Sequence, residues 1–168
     1  MSARAMMVAA FATVTSLSLA PGGRVSMTLS GGKTASVEMH DAGFCTTSAT
    51  FGKMTINVFA FAATNAQWAV KIESSKGAPT SGSHTIGDGV LTAGVTDKTT
   101  GKEPVQWTRY EATEGTVTFS RIDATHVTGS FKFAAKARGA GGKTVTAEGT
   151  FDAGQAAGCE GAAKGAPK

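Results

Sequence analysis

Charged residues are scarce in this sequence. They make up 17% of 168 residues, against about a quarter in an average soluble domain. Lys and Arg stand singly and form no basic run, and there is no aromatic-rich ribonucleoprotein motif. The net charge of +4 is therefore better explained by a solvated surface than by a face that binds phosphate. We expect no nucleic-acid partner.

Motifs that carry catalysis or bind a cofactor are also missing. The sequence has no G-x-S-x-G elbow, no acidic calcium loop and no C-x-x-C pair. One stretch, ARGAGGKT at 137–144, has the spacing of a relaxed phosphate loop. A phosphate loop must lead into a helix, whereas TVTAEGTF follows here with the period of a strand. We interpret the stretch as a hairpin turn and predict no cofactor.

Three histidines, His40, His84 and His126, are the only further candidates for metal binding or acid–base chemistry. Each lies near an aspartate in the sequence, but none has a partner at a recognised ligand spacing. The carboxylates are best explained as strand-end and turn residues. The sequence therefore predicts no metal site and no catalytic residue, and a hydrolase ranks third among the functions considered.

Glycine and threonine are abundant in this sequence, and the apolar residues recur with period two. The clearest stretch is 115–152, where Val117 and Phe119, then Phe131 and Phe133, alternate with Thr, Ser and Lys. This alternation is typical of strands with one buried face. Further strands are predicted at 25–29, 34–39, 44–51, 53–62, 64–74, 84–86, 90–95 and 105–111, and Gly149 is interpreted as an irregularity or bulge.

The strand count and the frequent glycine turns define the expected fold. We predict an all-β protein with about 9–11 short antiparallel strands, built either as a β-sandwich or as a small β-barrel. Residues 24–153 form a single β domain in this interpretation. The Ala/Gly-rich segment 154–168 lacks large apolar residues and is predicted to be a flexible tail.

The first twenty residues have the pattern of an export signal. Arg4 precedes an uncharged run from Ala5 to Ala20, which favours a signal peptide over residues 1–20 and a secreted or periplasmic protein. A buried N-terminal strand or helix is the alternative. The run is too short and too rich in Thr and Ser to predict a membrane span.

The sequence has two cysteines, Cys45 and Cys159. In an exported protein an even cysteine count favours a disulfide. A bridge would also hold the Ala/Gly segment around Cys159, which has little else to fix it. Two free thiols are the alternative.

The strand motifs GTVTF, VTGSFKF and VTAEGTFD resemble those of small exported bacterial domains of uncharacterised function. The resemblance covers about 51–152 and implies a β-domain associated with the bacterial envelope. It implies no catalytic residues. This sequence departs from the commonly lipid-anchored form because no cysteine follows its leader.

Three aromatic residues, Trp68, Trp107 and Tyr110, are candidates for ligand binding, since an exposed aromatic ring can stack on a sugar or a base. If they are buried, they fill the core. The leading hypothesis is a non-enzymatic interaction or structural module of the envelope, whose partner is an envelope protein. The alternative is a carrier for a glycan or a small apolar ligand, in which Phe59, Phe61, Trp68 and Phe131 line a cavity.

Overall fold

The computed structural model describes residues 23–51, 54–99, 106–138 and 142–156, and the side chains of these residues outside 47–58 and 99. The described chain forms β-strands joined by turns. The strands are β1 (Gly23–Gly31), β2 (Ala35–Phe51), β3 (Met54–Thr64), β4 (Trp68–Ser74), β5 (Gly82–Ile86), β6 (Leu91–Thr99), β7 (Gln106–Ile122), β8 (His126–Ala137) and β9 (Thr144–Gln155).

Eight of these strands close into a barrel, in the order β7-β6-β4-β3-β2-β1-β9-β8 and back to β7. Neighbours in this order are antiparallel, and β5 is an extra strand that pairs with β7. The prediction of an antiparallel all-β fold is confirmed. Of the two alternatives left open by the sequence, the protein forms the barrel.

Strand β7 makes both the closure and the addition of β5 possible. Its first part pairs with β6, through Gln106 to Glu111, and its later part pairs with β5, through Gly115 to Phe119. Both partners lie on one edge of β7, while β8 pairs along the other edge. β5 therefore continues the line of β6 at that edge.

The strands are longer than the sequence analysis predicted. β2 and β7 each contain 17 residues, where shorter runs separated by polar residues were expected. Polar residues do not end these strands, because closing a barrel requires every strand to keep pairing on both edges as it tilts. The bulge predicted at Gly149 is also wrong, since the register of β9 with both β1 and β8 is continuous through that residue.

The period-two pattern fixes the core. Val117 and Phe119 of β7, and Phe131 and Phe133 of β8, are buried, as is Phe151 of β9. The alternating Ser, Thr and Lys residues point away from the core and form the outer wall of the barrel. The apolar faces inferred from the sequence for these three strands are therefore confirmed.

The stretch that resembles a phosphate loop connects two paired strands. Lys136 at the end of β8 faces Thr144 at the start of β9, and the amide of Ala137 donates to the carbonyl of Lys143. Because Thr144 opens a strand, no helix N-terminus follows the Gly-Lys-Thr residues. The hairpin interpretation of this stretch is confirmed.

Asp123 organises the turn between β7 and β8. Its Oδ1 accepts hydrogen bonds from the amides of Thr125 and His126, and its Oδ2 accepts one from Arg121 Nε at 2.6 Å. The Thr125 amide, and then the Arg121 guanidinium, hold the pKa of Asp123 well below its usual range. A lowered pKa means that the turn is stabilised above the ordinary carboxyl pKa and loses that support as the pH falls below it.

One charged side chain, Asp97 of β6, is buried at 4% exposure. Its carboxylate forms an ion pair with Lys33 from the β1–β2 turn and accepts a hydrogen bond from Gln67 Nε2 at 3.2 Å. The Lys33 ammonium also lies 4.8 Å from the centre of the Trp68 ring. Lys33 therefore links the β1–β2 turn to β4 and β6 on the far side of the barrel.

Replacing Lys33 by methionine keeps the length of the side chain but leaves the Asp97 carboxylate without its counter-charge. We expect the free energy of unfolding to fall by about 2 kcal/mol, the cost of stranding a buried charged group. The measurement is urea denaturation, with Lys132→Met as the control, because the Lys132–Glu148 pair is largely exposed and exposed pairs contribute little. Equal losses in the two variants would contradict this role for Lys33.

Candidate binding surface on the outer wall

Phenylalanine rings fill the inside of the barrel. Phe59 and Phe119 meet edge to face at 5.7 Å between ring centres, Phe61 and Phe151 lie 4.9 Å apart, and Phe131 stacks on Phe151 at 6.5 Å. Phe59, Phe61, Trp68 and Phe131 were the residues proposed to line a ligand cavity. The structure places all four in the hydrophobic core, and the three phenylalanines pack against other aromatic rings.

The three candidate aromatics separate into two buried residues and one exposed residue. Trp68 and Tyr110 are each 5% exposed, whereas Trp107 is 60% exposed. Trp107 and Tyr110 are three positions apart on β7, so they point to opposite faces of the sheet. Trp107 therefore lies on the outer wall, where its ring is open to solvent and Lys98 Nζ lies 5.6 Å from its centre.

A groove of about 610 Å³ crosses the outer wall over β3, β4, β6 and β7; we refer to it as the wide groove. Its floor contains Ala62, Ala69 and Gly94, which have little or no side chain. In register, Ala62 faces Lys71, Lys71 faces Gly94, and Gly94 faces Glu111. The groove exists because small residues occupy outward positions on neighbouring strands.

Trp107 stands next to the wide groove. The register pairs Thr96 with Arg109, which line the groove, and the next outward pair is Lys98 with Trp107. Trp107 and Lys98 therefore lie one row beyond the groove along β6 and β7. The exposed ring and the groove form a continuous surface on one side of the barrel.

Four charged residues that line the wide groove occur in opposite pairs, and Asp41 adds a third carboxylate. On β4, Lys71 Nζ lies 2.7 Å from Glu73 Oε1, and on β7, Arg109 Nε lies 3.4 Å from Glu111 Oε1. Arg138 adds a second partner for Glu111 at 2.8 Å. All of these side chains are substantially exposed, so they remain available to a ligand, and positive and negative charges nearly balance.

A second concavity of about 370 Å³, the narrow groove, lies on the outer wall over β1, β9, β8 and β7. Hydroxyl groups line most of it, from Ser26, Thr28, Thr118, Ser130 and Thr150. In register, Ser26 faces Thr150, Thr150 faces Ser130, and Ser130 faces Thr118. No exposed aromatic residue lines the narrow groove, since Phe131, which borders it, is buried.

Two of the three histidines each lie within hydrogen-bonding distance of one polar partner. His84 Nε2 lies 2.8 Å from the Thr80 carbonyl oxygen and packs against Phe119, and His126 Nε2 lies 2.7 Å from Asp152 Oδ1. His40 is exposed on β2. Within 23–51, 54–99, 106–138 and 142–156, no group of three or more His, Cys, Asp or Glu side chains could hold a metal ion.

Cys45 lies half-buried on β2, and Cys159 is outside the described residues. The end of β9 runs beside Cys45, because Gly43 pairs with Gly154, Phe44 pairs with Gln155, and the Ala156 amide donates to the Phe44 carbonyl at 2.9 Å. The predicted disulfide stays a prediction. The signal peptide predicted at 1–20 also falls outside the described residues, as does the predicted tail from residue 157 on. Gly154 and Gln155, which were assigned to that tail, are instead the last residues of β9.

Comparison with protein families, curated proteins and solved structures finds no match to this chain. In the part of the chain that the structure describes, there is no helix with the length and apolarity needed to cross a membrane. The function of this protein is therefore inferred from the geometry of the outer wall.

Sequence reasoning identified Trp107 as a candidate but missed the wide groove beside it. One signal was available, because Gly94 interrupts an otherwise well-patterned strand, and glycine inside a strand marks a close approach of backbone or ligand. A Cβ atom at Gly94 would lie 2.9 Å from the Tyr110 carbonyl oxygen. Ala62 and Ala69 gave no such signal, since alanine is common throughout the sequence.

Proposed function

We propose that this protein is an exported, non-enzymatic β-barrel that acts as a binding module of the bacterial envelope, and that it binds its partner in the wide groove. The observation that carries this proposal is the exposed Trp107 next to a 610 Å³ groove. This volume is within the range of about 300–1,000 Å³ that is common for ligand sites. The carrier alternative has no comparable support, because the side chains assigned to its cavity are packed in the hydrophobic core.

Trp107 should contribute a large share of the binding energy. A large exposed apolar side chain on a polar wall is the residue most often found at the energetic centre of an interface. Replacing Trp107 by alanine is expected to weaken retention of the mature protein on isolated envelope material by at least about tenfold. The measurement is co-sedimentation with that material across a series of protein concentrations.

The matched control is Lys132→Ala on β8, a long exposed side chain that lines the narrow groove instead of the wide one. We expect this variant to bind as the wild type does. Both substitutions are at exposed positions, so the thermal unfolding of the two variants should stay close to that of the wild type. Unchanged retention of Trp107→Ala would refute the assignment of the binding surface.

Export and the disulfide belong to the same proposal, and the position of β9 supports the bridge. Ala156 lies beside Phe44, and the three residues from Ala156 to Cys159 span at most about 10 Å. Cys159 is therefore within reach of Cys45. An oxidised bridge is the expected state in an exported protein.

Denatured mass spectrometry of the protein expressed with its own leader tests both points. We expect a mass that lacks the leader, and a gain of two hydrogens on reduction. Full-length protein found unprocessed in the cytoplasm would refute export. A mass that does not change on reduction would refute the bridge while leaving the proposed binding surface intact.

A further inference from the structure

We infer that the ligand of the wide groove is a glycan chain without strong net charge; this inference rests on the proposed function. Three features of the surface support it: an exposed aromatic face, a mixed set of hydrogen-bonding groups, and a balance of charge. A glycan of several sugar units is the ligand whose chemistry requires all three.

The first feature is the ring of Trp107. Sugar rings have an apolar face made of C–H groups, and an indole ring open to solvent offers a flat surface on which that face can stack. The Lys98 ammonium lies over one face of the ring, 5.6 Å from the ring centre. The amine can donate hydrogen bonds to the hydroxyl groups of a sugar stacked on the indole.

The second feature is the hydrogen-bonding set within the groove. Thr64, Thr92 and Thr96 contribute hydroxyl groups, Glu73 and Glu111 contribute carboxylates, and Lys71 and Arg109 contribute cationic donors. A sugar hydroxyl both donates and accepts hydrogen bonds, so it can satisfy donors and acceptors in the same site. A ligand that only accepts hydrogen bonds, such as a phosphate, could use the cationic donors but would be repelled by the carboxylates of Glu73 and Glu111.

The third feature is the balance of charge. Lys71 is paired with Glu73, and Arg109 shares Glu111 with Arg138. These pairs leave little net potential to attract a polyanion or a polycation. The surface therefore favours a neutral ligand, whose binding depends weakly on salt concentration.

The length of the surface indicates a chain of sugars. Its outward positions on β6 run from Thr92 through Gly94 and Thr96 to Lys98. The six residue steps from Thr92 to Lys98 span roughly 20 Å, which is longer than a single sugar ring. One sugar can stack on Trp107 while the following units lie over the floor at Gly94.

The test uses retention of the mature protein on isolated envelope material that has been digested in two ways. We expect retention to persist after exhaustive protease digestion and to fall by at least about tenfold after digestion with a mixture of glycosidases. Retention should also change less than about twofold between low and high salt, because the interaction is not between net charges.

The outcomes separate this inference from the proposal it rests on. Loss of retention after protease, with none after glycosidases, would overturn the glycan assignment and leave a protein partner for the same groove. Steep loss of retention with salt would overturn the neutral character of the ligand. Failure of the undigested material to retain the wild type would overturn the proposed function itself.

Discussion

Replacing Phe119 by alanine is expected to lower the free energy of unfolding by about 3–5 kcal/mol, the usual cost of removing a buried aromatic ring. Phe119 is 1% exposed and lies at the centre of the ring cluster. It meets Phe59 and Phe151 at 5.7 Å each, and His84 of β5 packs on it as well. Removing it opens a cavity between strands from different parts of the barrel, which the surrounding backbone cannot fill.

The control for this substitution is Trp107→Ala on the same strand. Both variants lose a large aromatic side chain, but Trp107 is exposed, so its stability should change by no more than about 0.5 kcal/mol. Equilibrium denaturation in urea measures both. Similar losses for the two variants would mean that the ring cluster does not hold the barrel together.

Replacing Gly129 by alanine should also be strongly destabilising, by about 3 kcal/mol. A Cβ atom at this position would lie 2.0 Å from the Thr118 carbonyl oxygen and 2.7 Å from the Phe151 ring. The first contact is with the backbone of the neighbouring strand β7, which cannot move without breaking its ladder to β8. Overpacking of this kind typically costs about 1–3 kcal/mol and more where the backbone is the obstacle.

The chain provides a matched control at Gly154 on β9, where an added Cβ atom would have nothing within 4 Å. Neither glycine has a positive φ, so the two substitutions differ mainly in the space around the new methyl group. Gly154→Ala should be neutral or stabilising by up to about 0.5 kcal/mol, because alanine restricts the unfolded chain. If Gly129→Ala were equally well tolerated, the close packing of β8 on β7 would be wrong.

The sequence predicts well those features that depend on neighbouring residues. The alternation of Val117 and Phe119 with threonine fixed the buried face of β7, because side chains on a strand alternate between its two faces. The strand pattern that follows ARGAGGKT likewise predicted that this stretch is a turn, and the Ala137 amide donates to the Lys143 carbonyl where β8 leads into β9.

Closure of the barrel could not be predicted, because it depends on pairs that are distant in the chain. β1 pairs with β9, so that Val25 faces Phe151. Neither segment contains a local signal that identifies the strand with which it pairs. The same limit applies to Trp107. The period-two pattern put Trp107 and Arg109 on one face of the strand, but only the closed barrel determines that this face is the outer one.

The wide groove was hidden for a related reason. Ala62, Ala69 and Gly94 belong to three different strands, and they form a floor only after β3, β4 and β6 have paired in register. Of the three, only Gly94 stands out within its own strand, and its sequence context does not show that Ala62 and Ala69 will lie in the same floor.

The most direct test of binding in the wide groove is to fill each groove in turn with a large side chain and to measure retention on envelope material. Ala62→Phe places a ring on the exposed floor of the wide groove, and Ser130→Phe places the same ring in the narrow groove. Both positions are exposed on the outer wall, so both variants should fold. Binding in the wide groove predicts that Ala62→Phe loses at least about tenfold in retention while Ser130→Phe binds as the wild type does. Retention that survives Ala62→Phe, or that is lost only in Ser130→Phe, would contradict it.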